Sequence, residues 1–211
     1  MKTRTILTAA ALISALAAQA ADSNHYQAQP AGNKVRVEGT STAHDWEMDG
    51  TMIGGSVEFD PAVQLDTAQA ALKDKKLTIK STVIIPVRSI KSDAKAMPQV
   101  MEGLMQDALK AKDFPKIECY ITELTAKEHT AGKPFDFDAT GELAIAGKTN
   151  KVTFPVTIDV PEKDKLKISG TAPLKMTEYG ITPPAPSFGL GLMKCGDEVK
   201  IAFEWTVAKT K

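Results

Sequence analysis

The chain has no excess of either charge: 26 Lys and Arg stand against 26 Asp and Glu over 211 residues. Gripping a phosphate backbone takes a cationic face, so nucleic acid is excluded as an expected partner. Cysteine is scarce. Cys119 and Cys195 are the only two, and they lack the close spacing of a redox or zinc pair. Histidine is scarce as well, at three residues, and no two of them fall at i and i+4. No serine occupies a G-x-S-x-G setting, and no glycine-rich phosphate cradle precedes a helix. With no clustered His, Cys or carboxylates, the sequence offers no metal site, cofactor site or catalytic residue, and a non-enzymatic role is expected. His44 and Asp45 are adjacent, but neighbours in an extended segment point to opposite sides, so a structural role for His44 beside Trp46 is favoured over catalysis.

Long apolar runs are missing too. The apolar run near the start, Ile6 to Ala18, is shorter than the roughly 20 residues needed to cross a bilayer. It follows Lys2 and Arg4 and leads into Ala18-Gln19-Ala20, with small residues at the two positions a signal peptidase reads. Residues 1–20 therefore read as a signal peptide cleaved after Ala20. No cysteine follows it to accept a lipid, so the mature product is expected to be periplasmic or secreted, with no stable membrane anchor. Residues 21–32 are polar and read as a flexible lead-in.

What is present is period-two alternation. Val152, Phe154, Val156, Ile158 and Val160 share one face of a strand, and Val199, Ile201, Phe203, Trp205 and Val207 share another. The same pattern appears around Val35, Val57, Leu77, Ile117, Phe135 to Ile145 and Leu166 to Met176, giving eight strand-like segments. Short connectors such as Gly132-Lys133-Pro134 and Pro161 to Lys165 imply antiparallel hairpins. One interruption, between the third and fourth segments, places Met97, Met101, Leu104, Met105 and Ala108 at helical spacing, which predicts one amphipathic helix of about fourteen residues. Strands with one dry face must close on themselves or stack as two sheets. Closure is favoured, so residues 33–211 are expected to form an all-β, eight-stranded antiparallel barrel with a single helix. In that meander the fourth and eighth segments lie across the barrel, which favours free thiols at Cys119 and Cys195 over a bridge.

The segments GTSTAHDWEMDG (Gly39 to Gly50), VRSIKSD (Val87 to Asp93), ALKAKDFPKIEC (Ala108 to Cys119), GELAIAGKTNKVTFPV (Gly141 to Val156) and GDEVKIAFEW (Gly196 to Trp205) resemble the YceI family of secreted bacterial proteins. The resemblance implies a lipocalin-like barrel holding a polyisoprenoid chain in its bore. On that reading the ligand is a polyisoprenoid or another long-chain amphiphilic lipid. The candidate lining is Val37, Trp46, Val57, Phe59, Ile79, Val83, Met101, Met105, Ile117, Phe137, Ile145, Phe154, Phe188 and Phe203. His44, Arg88 and Lys91 are candidates to meet a head-group phosphate at the rim. Each methylene moved out of water contributes about 0.8 kcal/mol, so some ten buried carbons offset the cost of association. Patterning alone does not separate a hollow bore from a filled one. The alternative is a filled barrel acting as a periplasmic interaction or scaffold protein without a lipid, and the sequence leaves open whether the chain forms a homodimer.

Overall fold

A computed structural model describes residues 24–60, 63, 65, 74–95, 97–186 and 193–210. The signal peptide expected at 1–20, with its cleavage point, lies outside the described residues. Eleven strands form a single antiparallel sheet: β1 His25–Ala28, β2 Lys34–Ser41, β3 Trp46–Gly50, β4 Gly54–Phe59, β5 Lys76–Pro86, β6 Lys91–Ser92, β7 Lys116–Ala126, β8 Phe135–Ile145, β9 Lys148–Glu162, β10 Lys165–Lys175 and β11 Cys195–Lys209. Helix α1, Pro98–Ala108, connects β6 to β7.

The sheet closes as a barrel of eight strands, in the order β1-β4-β5-β7-β8-β9-β10-β11 and back to β1. The expected count and architecture hold, but the membership differs. β1 completes the ring from inside the stretch read as a loose lead-in, pairing Tyr26 with Val57 of β4 and with Lys209 of β11. The lead-in is held by polar contacts that alternation does not report. The Thr206 backbone N–H donates to Asn33 Oδ1 at 2.9 Å, and the Thr206 hydroxyl donates to the Gly32 carbonyl at 2.9 Å. β11 therefore has a divided edge: Val207 to Lys209 pair with β1, while Cys195 to Glu204 pair with β2. β3 and the two-residue β6 extend that second branch, so the upper end of the barrel is wider than its base.

The alternation places side chains as expected. Phe154, Val156 and Ile158 of β9 face the interior with Trp205 and Val207 of β11. The β8–β9 hairpin turns through Ala146 and Gly147, both at positive φ (51° and 83°), the two-residue geometry that matches strand twist. At the base the interior is solid: Phe137 and Val207 are fully buried, and Ile158 and Leu166 nearly so.

Helix α1 starts with Pro98 in its first turn, as the spacing predicts, and is three residues shorter than the expected length of about fourteen. No residue of α1 is fully buried. Val100 is 40% exposed, and Met97 just before the helix 56% exposed, although both border the cavity beneath it, so the helix covers an opening rather than filling a core.

Candidate functional site

Under α1 lies an apolar cavity of about 400 Å³, within the range of small-molecule sites. Three groups of side chains build it. Met101, Leu104, Met105 and Ala108 recur at i, i+3, i+4 and i+7 and form the roof. Val37, Ile117, Ile145, Val199 and Ile201 come from the inward faces of four strands and form the wall. Met176, Tyr179 and Ile181 follow β10 through a 3-10 turn at Met176–Tyr179 and close the side. That side needs closing because the β9–β10 ladder stops at the pair Gly170 and Val156. Above it, Asn150 Nδ2 donates to the Glu178 carbonyl at 2.9 Å and ties the turn back to β9. Methionines supply both roof and side, and their unbranched, polarizable side chains re-pack around irregular apolar shapes.

A second cavity of about 90 Å³ lies deeper, between Phe154, Phe203, Trp205 and the strands opposite. Phe154 and Phe203 meet edge to face, ring centroids 6.1 Å apart, and occupy most of that level. Ile201 borders both cavities. The interior is thus open in its upper part and nearly filled below.

Of the residues singled out in the sequence, Val37, Trp46, Met101, Met105, Ile117 and Ile145 line the upper cavity. Val57, Phe59, Ile79, Val83, Phe154 and Phe203 line the lower one. Phe137 lines neither. It is sealed in the base against Phe135, with ring centroids 6.3 Å apart. Phe188 lies outside the described residues. Of the three head-group candidates, His44 alone reaches the mouth. Arg88 is exposed on the turn Val87–Ser89, and Lys91 gives its ammonium to Glu102 of α1 at 2.9 Å; neither lines the cavity. Both are expected at the rim as partners for a phosphate, but the outward face of β6 turns Lys91 towards the helix instead.

The mouth carries three acidic groups, Asp45, which the sequence marks only beside His44, and Glu47 and Asp93, which it does not single out. Glu47 shares a hydrogen bond with the Asp93 carboxyl, which holds it above the usual carboxylate range, with desolvation adding to the effect. Arg36 on the outer face donates to Glu47 at 2.7 Å and to Asp49 at 2.6 and 2.8 Å, and it holds Asp49 below the usual range. His44 is not oriented by the Asp45 carboxylate. Its Nδ1 lies 2.7 Å from the Asp45 backbone carbonyl, in a turn that Ser41 caps by donating to the His44 carbonyl. That geometry leaves no imidazole–carboxylate pair. Among the described residues no group of three or more His, Cys, Asp or Glu is placed to hold a metal ion.

Both cysteines are free. Cys119 lines the lower cavity and Cys195 the upper, and burial pushes the Cys119 thiol up to about 12 and raises that of Cys195.

A closed antiparallel barrel, apolar within and roofed by one helix, defines a protein of lipocalin-like fold. The chain belongs to the family of YceI-like domains, whose model matches residues 26–207. That match begins within β1, in the stretch read as lead-in. Among solved structures it resembles BcnA of Burkholderia cenocepacia, with 22% identity and a TM-score of 0.61 over 85% of this chain and 98% of that one. It also resembles a polyisoprenoid-binding domain from Saccharophagus degradans, with 9% identity and a TM-score of 0.62 over 89% and 99% of the two chains. The YceI protein of Campylobacter jejuni aligns with 18% identity and a TM-score of 0.52 over 78% and 85%. No curated relative matches the chain at a significant level.

Proposed function

We propose that this protein is a non-catalytic carrier of the cell envelope that sequesters a polyisoprenoid or a similar long-chain lipid. The observation that carries the reading is the apolar cavity of about 400 Å³ beneath the methionine face of α1. Family membership and the likeness to a polyisoprenoid-binding domain support it. The leader-like segment at 1–20 supports export to the periplasm or beyond. Burying some ten methylenes supplies about 8 kcal/mol before the cost of association, enough for useful affinity without any head-group contact. Native mass spectrometry and organic extraction of protein purified from its own compartment test the proposal. Recovery of a long-chain lipid, or saturable uptake on titration, is expected. Repeated preparations with neither would favour the filled-barrel scaffold, for which the crowded lower level around Phe154 and Phe203 is the supporting observation.

A further inference from the structure

Among the described residues the largest side chain sealed in the barrel is Trp205, 2% exposed and paired across the ladder with Ile168 of β10. An indole can only donate, so its Nε1–H finds an acceptor or stays unpaired. No described residue supplies that acceptor, although the nitrogen is wholly buried. Trp46, the other tryptophan, gives its N–H to the Thr40 carbonyl at 3.0 Å. Buried donors are rarely left over, and one that is left over asks what it serves.

Trp205 lines the lower cavity of about 90 Å³, and Ile201 borders both that space and the upper cavity. Apart from Trp205, the side chains around the lower cavity are apolar except for Ser81 and Cys119. Cys119 stays a thiol, because burial pushes it up to about 12. The lining thus carries no charge, one obligate donor, one hydroxyl and one weakly bonding thiol. Resting on the lipid-binding reading, we propose that the lower cavity is a subsite for a carbonyl or ether oxygen on the inner end of the bound chain, with the Trp205 indole N–H as its donor.

What the lining can satisfy decides the chemistry. A charged end is excluded, since no counter-charge lines the space. A trapped water takes typically about two to four polar partners, and a hydroxyl brings a donor of its own; among these side chains Ser81 is the one good acceptor for either. A carbonyl or ether oxygen only accepts, so a single donor serves it. An all-hydrocarbon end would fill the space and leave the indole N–H unpaired.

The test compares hexadecan-1-ol with 16-hydroxyhexadecan-2-one, which matches it in length and carries a carbonyl beside the far end. Trp46 and Trp205 are the only tryptophans, so a 15N–1H spectrum shows two indole signals, and the one lost in Trp205→Phe belongs to the lower cavity. Should that variant fold poorly, loss of the other signal in Trp46→Phe makes the same assignment. The ketone should move the Trp205 signal downfield, towards a hydrogen-bonded position, and hexadecan-1-ol should not. By calorimetry the ketone should bind at least as tightly as the alcohol, and about three- to tenfold more weakly than it once Trp205→Phe removes the donor. Binding of both chains with no downfield shift, or with the same shift from each, overturns the proposal and leaves lipid binding intact. So does a water cross-peak on the Trp205 N–H that survives ketone binding, which would assign the donor to a trapped water. If neither chain binds, the lipid-binding reading fails and this subsite falls with it.

Discussion

The indole of Trp46 on β3 lies against Gly39 of β2, in the space where any other residue at 39 would carry its Cβ. The indole N–H then donates to the Thr40 carbonyl at 3.0 Å, which fixes the ring across the upper rim. Gly39→Ala should therefore displace the ring and cost about 1–3 kcal/mol, the usual cost of overpacking. Urea unfolding measures the loss. In a Trp46→Ala background the same substitution should be nearly silent, and a full loss there would show that the clash lies elsewhere.

Helix α1 is tethered to the sheet through Glu102, which accepts from Lys91 Nζ at 2.9 Å and from the Ser92 backbone N–H at 3.4 Å. The Lys91 hydrogen bond holds the Glu102 carboxyl below the usual range. A depressed carboxylate contributes stability above its unfolded pKa, and the contribution is lost as pH falls through the folded value. Amide exchange in α1 should thus gain an extra acid-side opening below about pH 4. Glu102→Gln should show that faster exchange already at pH 7, with the barrel strands unchanged. Equal protection of α1 in both proteins would remove the tether from the account.

The lower level is closed by side-chain volume. Phe154→Ala should cost about 3–5 kcal/mol and enlarge the space next to the cavity of about 90 Å³. If lipid enters from the upper cavity, that space extends the site, and the affinity ratio of geranylgeraniol to farnesol should rise. An unchanged ratio would mean the two levels are not joined by the bound chain. Outward Glu204, paired with Lys167 at 2.7 Å and half exposed, should tolerate Ala with little effect on either reading.

Thiol reactivity reports on the same interior. Raised pKa values leave little thiolate at Cys119 and Cys195 at pH 8, so both should react far more slowly with a disulfide reagent than in guanidinium. Bound farnesol should slow Cys195 further, because that thiol lines the upper cavity. Reaction at the unfolded rate in the native protein would contradict the burial of both groups.

Much of this arrangement was legible in the chain because burial on one face writes itself as alternation. Phe154, Val156 and Ile158 announced the interior of β9, and Met101, Leu104 and Met105 announced the roof. β1 was illegible: His25 to Ala28 is polar and short, and it is held by backbone pairing and by the Asn33–Thr206 contact. β6, with two residues, is too brief to show any period. The division of the bore into an open and a crowded level was hidden for another reason. It depends on how Phe154 and Phe203 meet across strands distant in sequence, and inward direction alone does not say how much room is left. The rim failed in the opposite sense. Arg88 and Lys91 looked available as lone basic residues, whereas the acidic set at the mouth converges from the β2–β3 turn, β3 and the segment after β6.

The divided edge of β11 lets a single strand belong both to a closed ring and to an open flap. The ring, completed by β1, fixes the footing of the molecule. The flap of β2, β3 and β6 shapes the pouch. Lengthening or trimming the β2–β3 hairpin would resize the pouch while leaving the pairings of the footing untouched.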